Sequence, residues 1–147
     1  MPEVAPQPID RSKVRSLYFA LVGGLLAVST AFISIYWLGS APLLPVESRS
    51  VIALVMCVVP LSPILLGWIW ARPQVPPRNA GISEEQFWQD PVPGGKVLLV
   101  WVLFEGSAII GAVGTLLTGS VLPAGAALLG LASLLTNGPG YFESRRP

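Results

Sequence analysis

Glu105 is the residue whose type and position most invite chemistry. It stands nine residues past Lys96, in a run that carries no other charge through Ser120. A helix would carry it about 13 Å beyond that lysine, close to half of a ~30 Å hydrocarbon core. An ionised carboxylate at that depth is expensive, and an intramembrane acid is a functional candidate by default. On a helical wheel Trp101, Ala108 and Ala112 surround it. No Lys or Arg lies inside any apolar run to pair with it. Pro60 and Pro63 fall at similar depth in another run. Each proline frees the carbonyl four residues back, at Met56 and Val59, and kinks its helix. Those carbonyls are candidate acceptors for a Glu105 proton. Three roles fit the residue: a protonated acid that ties helices together, a carrier of protons or ions, or a contact to a partner subunit or cofactor.

The remaining residue types exclude most other chemistry. There is no His, which removes the commonest metal ligand and the usual general base. The single Cys, Cys57, forms no internal disulfide and no cysteine-based metal site, and reads as a small buried hydrophobe. Nine Lys/Arg against eight Asp/Glu leave no basic surplus that asks for a nucleic-acid partner. Six acids lie outside the apolar runs on one predicted side: Glu3, Asp10, Glu84, Glu85, Asp90 and Glu143. None has a recognisable spacing to a nucleophile or metal ligand. The chain therefore reads as a non-enzyme, with no catalytic, cofactor or metal site.

The elements that would position Glu105 follow from composition. Hydrophobic residues make up 52% and charged residues 12%, the latter about half the ~25% of soluble domains. The lipid bilayer is the expected surrounding. A polar, proline-rich N-tail, 1–16, precedes an uncharged run over 17–38. That run is 22 residues, about 33 Å of helix, too long for the ~7–15-residue core of a cleaved signal peptide ahead of Gly39-Ser40-Ala41. Tyr36 and Trp37 close it as an interfacial belt. A second span covers 50–70 and ends on Trp68 and Trp70. A polar loop, 71–96, contains Ser83-Glu84-Glu85-Gln86, a capping box with Ile82 and Phe87 at the staple positions. It predicts a short helix from Glu84 to before Pro91, with Phe87 and Trp88 resting on the membrane surface or in solvent. A third span covers 97–119, Gly119-Ser120 turns the chain, and a shorter fourth span covers 121–137. A C-tail, 138–147, follows. The expected architecture is an all-α, integral-membrane four-helix bundle of two hairpins over 17–137.

Close packing of small residues holds such helices together, because lipid tails are as apolar as Leu. Three stripes offer it: Gly23, Ala27, Ala31 and Ser34; Ser107, Gly111, Thr115 and Thr118; and Ala126, Gly130, Ser133 and Asn137. Packing within the chain is the ordinary use of such a stripe, and dimerisation or pore lining the functional one. Lys13-Val14 with Gly23 and Lys96-Val97 with Gly106 match at an offset of 83, a hint of duplication.

Lys/Arg placement predicts orientation. Eight of the nine fall in the N-tail, the 71–96 loop and the C-tail, and Arg49 alone falls opposite. Both termini are expected to be cytoplasmic, and the same bias favours four spans over three.

The segment Val102-Leu103-Phe104-Glu105-Gly106-Ser107-Ala108, continuing to Leu116-Leu117-Thr118-Gly119-Ser120, resembles the third helix of a family of small, uncharacterised bacterial four-span membrane proteins. Arg15-Ser16-Leu17-Tyr18-Phe19-Ala20-Leu21 with Gly23-Gly24 is similar to their opening. An Arg often precedes their third helix where Leu99 or Val100 stands here. The resemblance implies a fold and a bacterial inner-membrane location, not an activity. Glu105-Gly106-Ser107-Ala108-Ile109-Ile110-Gly111 is also similar to the helix around the proton-carrying carboxylate of rotary ATP synthase ring subunits. The chain departs from them in lacking their dense Gly-x-Gly repeat and in having two extra spans. The expected function is an accessory or assembly subunit that contacts other membrane-protein subunits. The alternative is a small proton- or ion-coupled transport component built on Glu105.

Overall fold

A computed structural model describes residues 10–38 and 43–145, apart from the side chains of Ile33, Tyr36 and Trp37. The tail before Asp10, the Gly39-Ser40-Ala41 segment, the Tyr36–Trp37 belt and Arg146 lie outside the described residues. Every regular element described is helical: α1 (Arg11–Trp37), α2 (Val46–Val58), α3 (Leu61–Leu65), α4 (Glu84–Gln89), α5 (Pro91–Thr118), α6 (Leu122–Thr136) and α7 (Pro139–Ser144). A π-helical turn, Leu66–Ala71, and a 3-10 turn, Arg72–Gln74, continue α3. Three stretches are long and apolar enough to cross a membrane: Arg11–Phe32, Val46–Gln74 and Pro91–Thr118. The fourth apolar helix, α6, has 15 residues, about 22 Å.

Local signals explain the ends. The Asp10 carboxylate accepts from the Ser12 amide at 3.2 Å, as an N-cap does. The capping box forms in both directions, Ser83 Oγ accepting from Gln86 N at 3.2 Å and Gln86 Oε1 from Ser83 N at 3.0 Å. Its helix does not rest on a surface, however. Phe87 and Trp88 are buried against α1 and α5, and Asp90 caps α5, which starts at Pro91 rather than Val97. Gly119 ends α5 in the left-handed region, φ 66°, where a Cβ would clash.

The expected kink is a break. The helix stops after Val58 and resumes at Leu61, with Pro60 buried at the joint. Pro63 has no N–H for the Val59 carbonyl, and Ser62 supplies the bonds instead, from N at 3.2 Å and Oγ at 3.0 Å. That carbonyl is therefore already bonded, against its expected role as an acceptor for Glu105.

α5 is the central helix and touches α1, the Val46–Gln74 stretch, α4 and α6. The α1–α2 connection lies beside the far end of α5 through Leu44 N to Leu117 O, 3.2 Å. Tyr18 lies 5.0 Å from Trp101 near the other end. So α1 and α5 run in one direction, and the Val46–Gln74 stretch and α6 in the other. Large apolar side chains cover the outside, among them Leu54, Val58, Leu66, Ile69, Leu128 and Leu135, the surface expected of helices solvated by lipid.

The α5–α6 pair is set by backbone approach. A Cβ on Gly111 would lie 2.5 Å from Ala127 N and 2.7 Å from Pro123 O. A Cβ on Gly130 would lie 2.7 Å from Ala108 N and 2.8 Å from Phe104 O. Ser107, Gly111, Thr118, Ala126, Gly130, Ser133 and Asn137 are buried and Thr115 half-buried. The stripe expected on α1 does not follow them. Gly23, Ala27, Ala31 and Ser34 are all exposed, and a Cβ on Gly23 would meet nothing within 4 Å. Val14, Tyr18 and Leu25 pack inward instead, Tyr18 with its ring 5.0 Å from that of Trp101.

Gly130→Leu should destabilise the protein by about 3 kcal/mol, since helix backbones must separate to admit it. Gly125→Ala on the exposed side of the same helix should be neutral or stabilising by about 0.5–1 kcal/mol. Thermal unfolding of the two variants in one detergent checks the contrast.

Candidate functional site

Glu105 is half-buried on α5. The three ion pairs among the described residues involve Glu84 and Glu143, and none involves Glu105. The nearest hydroxyl on its helix, Ser107 Oγ, donates back to Leu103 O at 2.8 Å. Thr115 and Thr118 do the same, to Gly111 O and Gly114 O. The stripe hydroxyls thus satisfy their own helix and leave the carboxyl unpaired among the described residues. Of its wheel neighbours, Trp101 is buried and turned to α6, donating from Nε1 to Asn137 O at 2.6 Å. Ala108 and Ala112 line a lateral apolar groove of about 360 Å³ between α1, α5 and α6. Among the described residues no group of three or more His, Cys, Asp or Glu is placed to hold a metal.

The densest polar construction lies elsewhere, where the starts of α1 and α5 meet α4 and α7. Its centre is Glu143, in the segment read from the sequence as a C-tail. Gly138-Pro139 starts α7 there, proline occupying the first helical turn, and α7 buries Phe142 and Glu143. The carboxylate accepts from Arg11 Nε at 2.9 Å, Arg11 Nη2 at 2.8 Å, Arg15 Nη2 at 3.0 Å and Trp88 Nε1 at 3.0 Å. Arg11 also pairs with Glu84. Burial by itself pushes the Glu143 carboxyl up, but bonds from Arg11, Trp88 and Arg15 outweigh it and hold the group at about 2. Four donors occupy the four lone-pair sites of a carboxylate, so nothing remains for a substrate proton. Glu143 is a clamp that joins α1, α4 and α7.

A second corner of this end is built on cations and aromatic rings. The Arg72 guanidinium lies 4.2 Å from the centre of the Trp68 ring and 4.6 Å from that of Tyr141, and Nη2 bonds the Tyr141 hydroxyl. Trp68 Nε1 donates to Ser133 Oγ at 3.0 Å. Gly67, in the π-turn, leaves room for the Phe104 ring that a Cβ would strike. Arg145 Nη1 donates to Arg72 O at 3.2 Å and Val75 O at 3.4 Å.

Sequence reasoning missed Glu143, Trp88, Arg72 and Tyr141 as a constellation. The signal for it was weak: Trp88 behind a strong capping box, and Gly138-Pro139 ahead of Tyr141-Phe142-Glu143. Comparison with protein-family models, curated proteins and solved structures finds no match.

Glu143→Gln removes the charge from a carboxylate buried against two arginines and should cost on the order of 3 kcal/mol at neutral pH. The folded group titrates at about 2, below its ordinary 4.5, so its contribution is present above pH 4.5 and lost as pH falls toward 2. Wild type and E143Q should therefore differ most at neutral pH and converge in acid, measured by unfolding across that range.

Proposed function

We propose that the chain is a small, non-enzymatic, multi-pass protein of the bacterial cytoplasmic (inner) membrane, acting as an accessory or assembly subunit of a larger membrane complex. In this reading α6 is a short fourth span, the four apolar stretches form a four-helix bundle, and the Lys/Arg bias puts both termini in the cytoplasm. The observation that carries it is the outer face of α1. Ser16, Ala20, Gly23, Ala27, Ala31 and Ser34 follow one side of that helix, and all six are exposed. Small residues let helix backbones approach in lipid, yet here they take no part in packing within the chain. The surface suits a helix of another subunit.

Gly23→Leu combined with Ala27→Leu should leave thermal stability unchanged within about 0.5 kcal/mol, as exposed substitutions do, and should release the chain from its native assembly. Thermal unfolding in mild detergent reads the first, and native electrophoresis in the same detergent the second. Migration of the wild type as a lone small monomer counts against a subunit role.

A small proton- or ion-coupled transport component is the second reading, favoured by a half-buried Glu105 without a partner among the described residues. Glu105→Gln keeps the shape and removes the titrating group. In proteoliposomes it should abolish any ion flux the wild type supports, and unchanged flux ends this reading.

A further inference from the structure

The polar end of the molecule is unevenly matched in charge. Arg11 and Arg15 share Glu143, and Arg11 also meets Glu84. Arg72 and Arg145 have no carboxylate within ion-pair distance among the described residues; their partners are ring faces, a phenol hydroxyl and backbone carbonyls. We propose that this corner binds the phosphate of an anionic phospholipid headgroup.

Three features carry it. Trp68 and Tyr141 hold the Arg72 guanidinium without neutralising it, and no bond is made by its Nε or Nη1 among the described residues, so its planar fork keeps donors for two phosphate oxygens, the geometry that distinguishes Arg from Lys. Arg145 lies on the carbonyl of Arg72 itself, and its own carbonyl accepts from Arg78 N at 3.0 Å, so a second cation is tied to the same turn. The corner also stands where the apolar stretch Val46–Gln74 ends. Ile69, 72% exposed, and Trp70, 54% exposed, precede Arg72 on that stretch. They supply surface for acyl chains and an interfacial aromatic at the depth where phosphates lie. With no carboxylate paired there among the described residues to receive a choline or an ethanolamine group, a net-anionic headgroup is favoured over a zwitterionic one. The inference rests on the reading that Val46–Gln74 crosses a bilayer, and is independent of any partner on α1.

The test uses the full chain in neutral detergent, with bound lipids counted by native mass spectrometry. Phosphatidylglycerol should bind about tenfold more tightly than phosphatidylcholine, and Arg72→Gln should erase that preference. Arg72→Lys should recover only part of it, because Lys keeps the charge and loses the planar fork. Arg145→Gln should weaken binding in the same direction. Lys13→Gln, an exposed cation at the same end, should leave the preference intact. Circular dichroism confirms that each variant is folded. Equal losses in K13Q and R72Q, or no preference between the lipids, overturn the inference. Displacement of phosphatidylglycerol by an equal concentration of inorganic phosphate overturns the lipid as the source. Extraction of the chain from vesicles at alkaline pH would instead break the membrane reading beneath it.

Discussion

α5 and α6 touch backbone to backbone at Gly111 and Gly130, and the positions of the other elements follow from that contact. With no Cβ at either position, each helix sets its peptide groups against the other. In lipid this is a main source of attraction between apolar helices, because burying Leu gains nothing over leaving it among acyl chains. Once the pair is joined, α5 has two sides left. One receives Met56 at Gly114 and Gly67 against Phe104, which seats the broken second stretch. The other receives Tyr18 against Trp101, which seats α1. The prolines belong to the same economy of space. They interrupt the second stretch between its contacts to α5 at Met56 and Gly67, and Ser62 repairs the carbonyl that Pro63 leaves open.

Polar bonding takes over at one end. Four aromatic N–H and O–H groups there bond to α6, its C-cap or α7: Tyr18 to Leu134 O, Trp68 to Ser133, Trp101 to Asn137 O, Trp88 to Glu143. These rings bring large apolar area together with one polar atom each, so they lock register as well as fill space. Glu143 completes the set. Its desolvation is unfavourable taken alone, and only donors arriving from α1 and α4 together make its burial tolerable. The clamp therefore forms only when α1, α4 and α7 have all docked.

The middle of the molecule is quieter. Glu105 stays unpaired among the described residues, and the hydroxyls near it bond back along α5. Its neighbours leave an apolar groove rather than a polar path. α1 is the least committed helix: one side carries Val14, Tyr18 and Leu25 inward, and the other presents small side chains outward. Charge does not tell these two faces apart beyond Arg15, because no charged residue follows on α1.

Apolar runs, prolines, glycine turns and the capping box act through neighbours in the chain, so the long apolar helices, a disturbance at Pro60 and the start of α4 at Glu84 were legible in the residues, whereas the start of α5 at Pro91 and the helix α7 were not. So were the two stripes between α5 and α6, since a Gly-to-Gly approach depends on spacing along each helix. The role of the α1 stripe was not, because which face turns inward depends on the shape of what it meets, here the Trp101 ring. The Glu143 clamp and the Arg72 corner were hidden for the same reason. Their members are separated by 55 to 132 residues in the case of Glu143 and by 69 between Arg72 and Tyr141. No local pattern joins residues so far apart. Only packing of α7 and α4 against α1 brings them within hydrogen-bond distance, and only there does a carboxylate in an ordinary-looking tail become a buried, fully bonded charge.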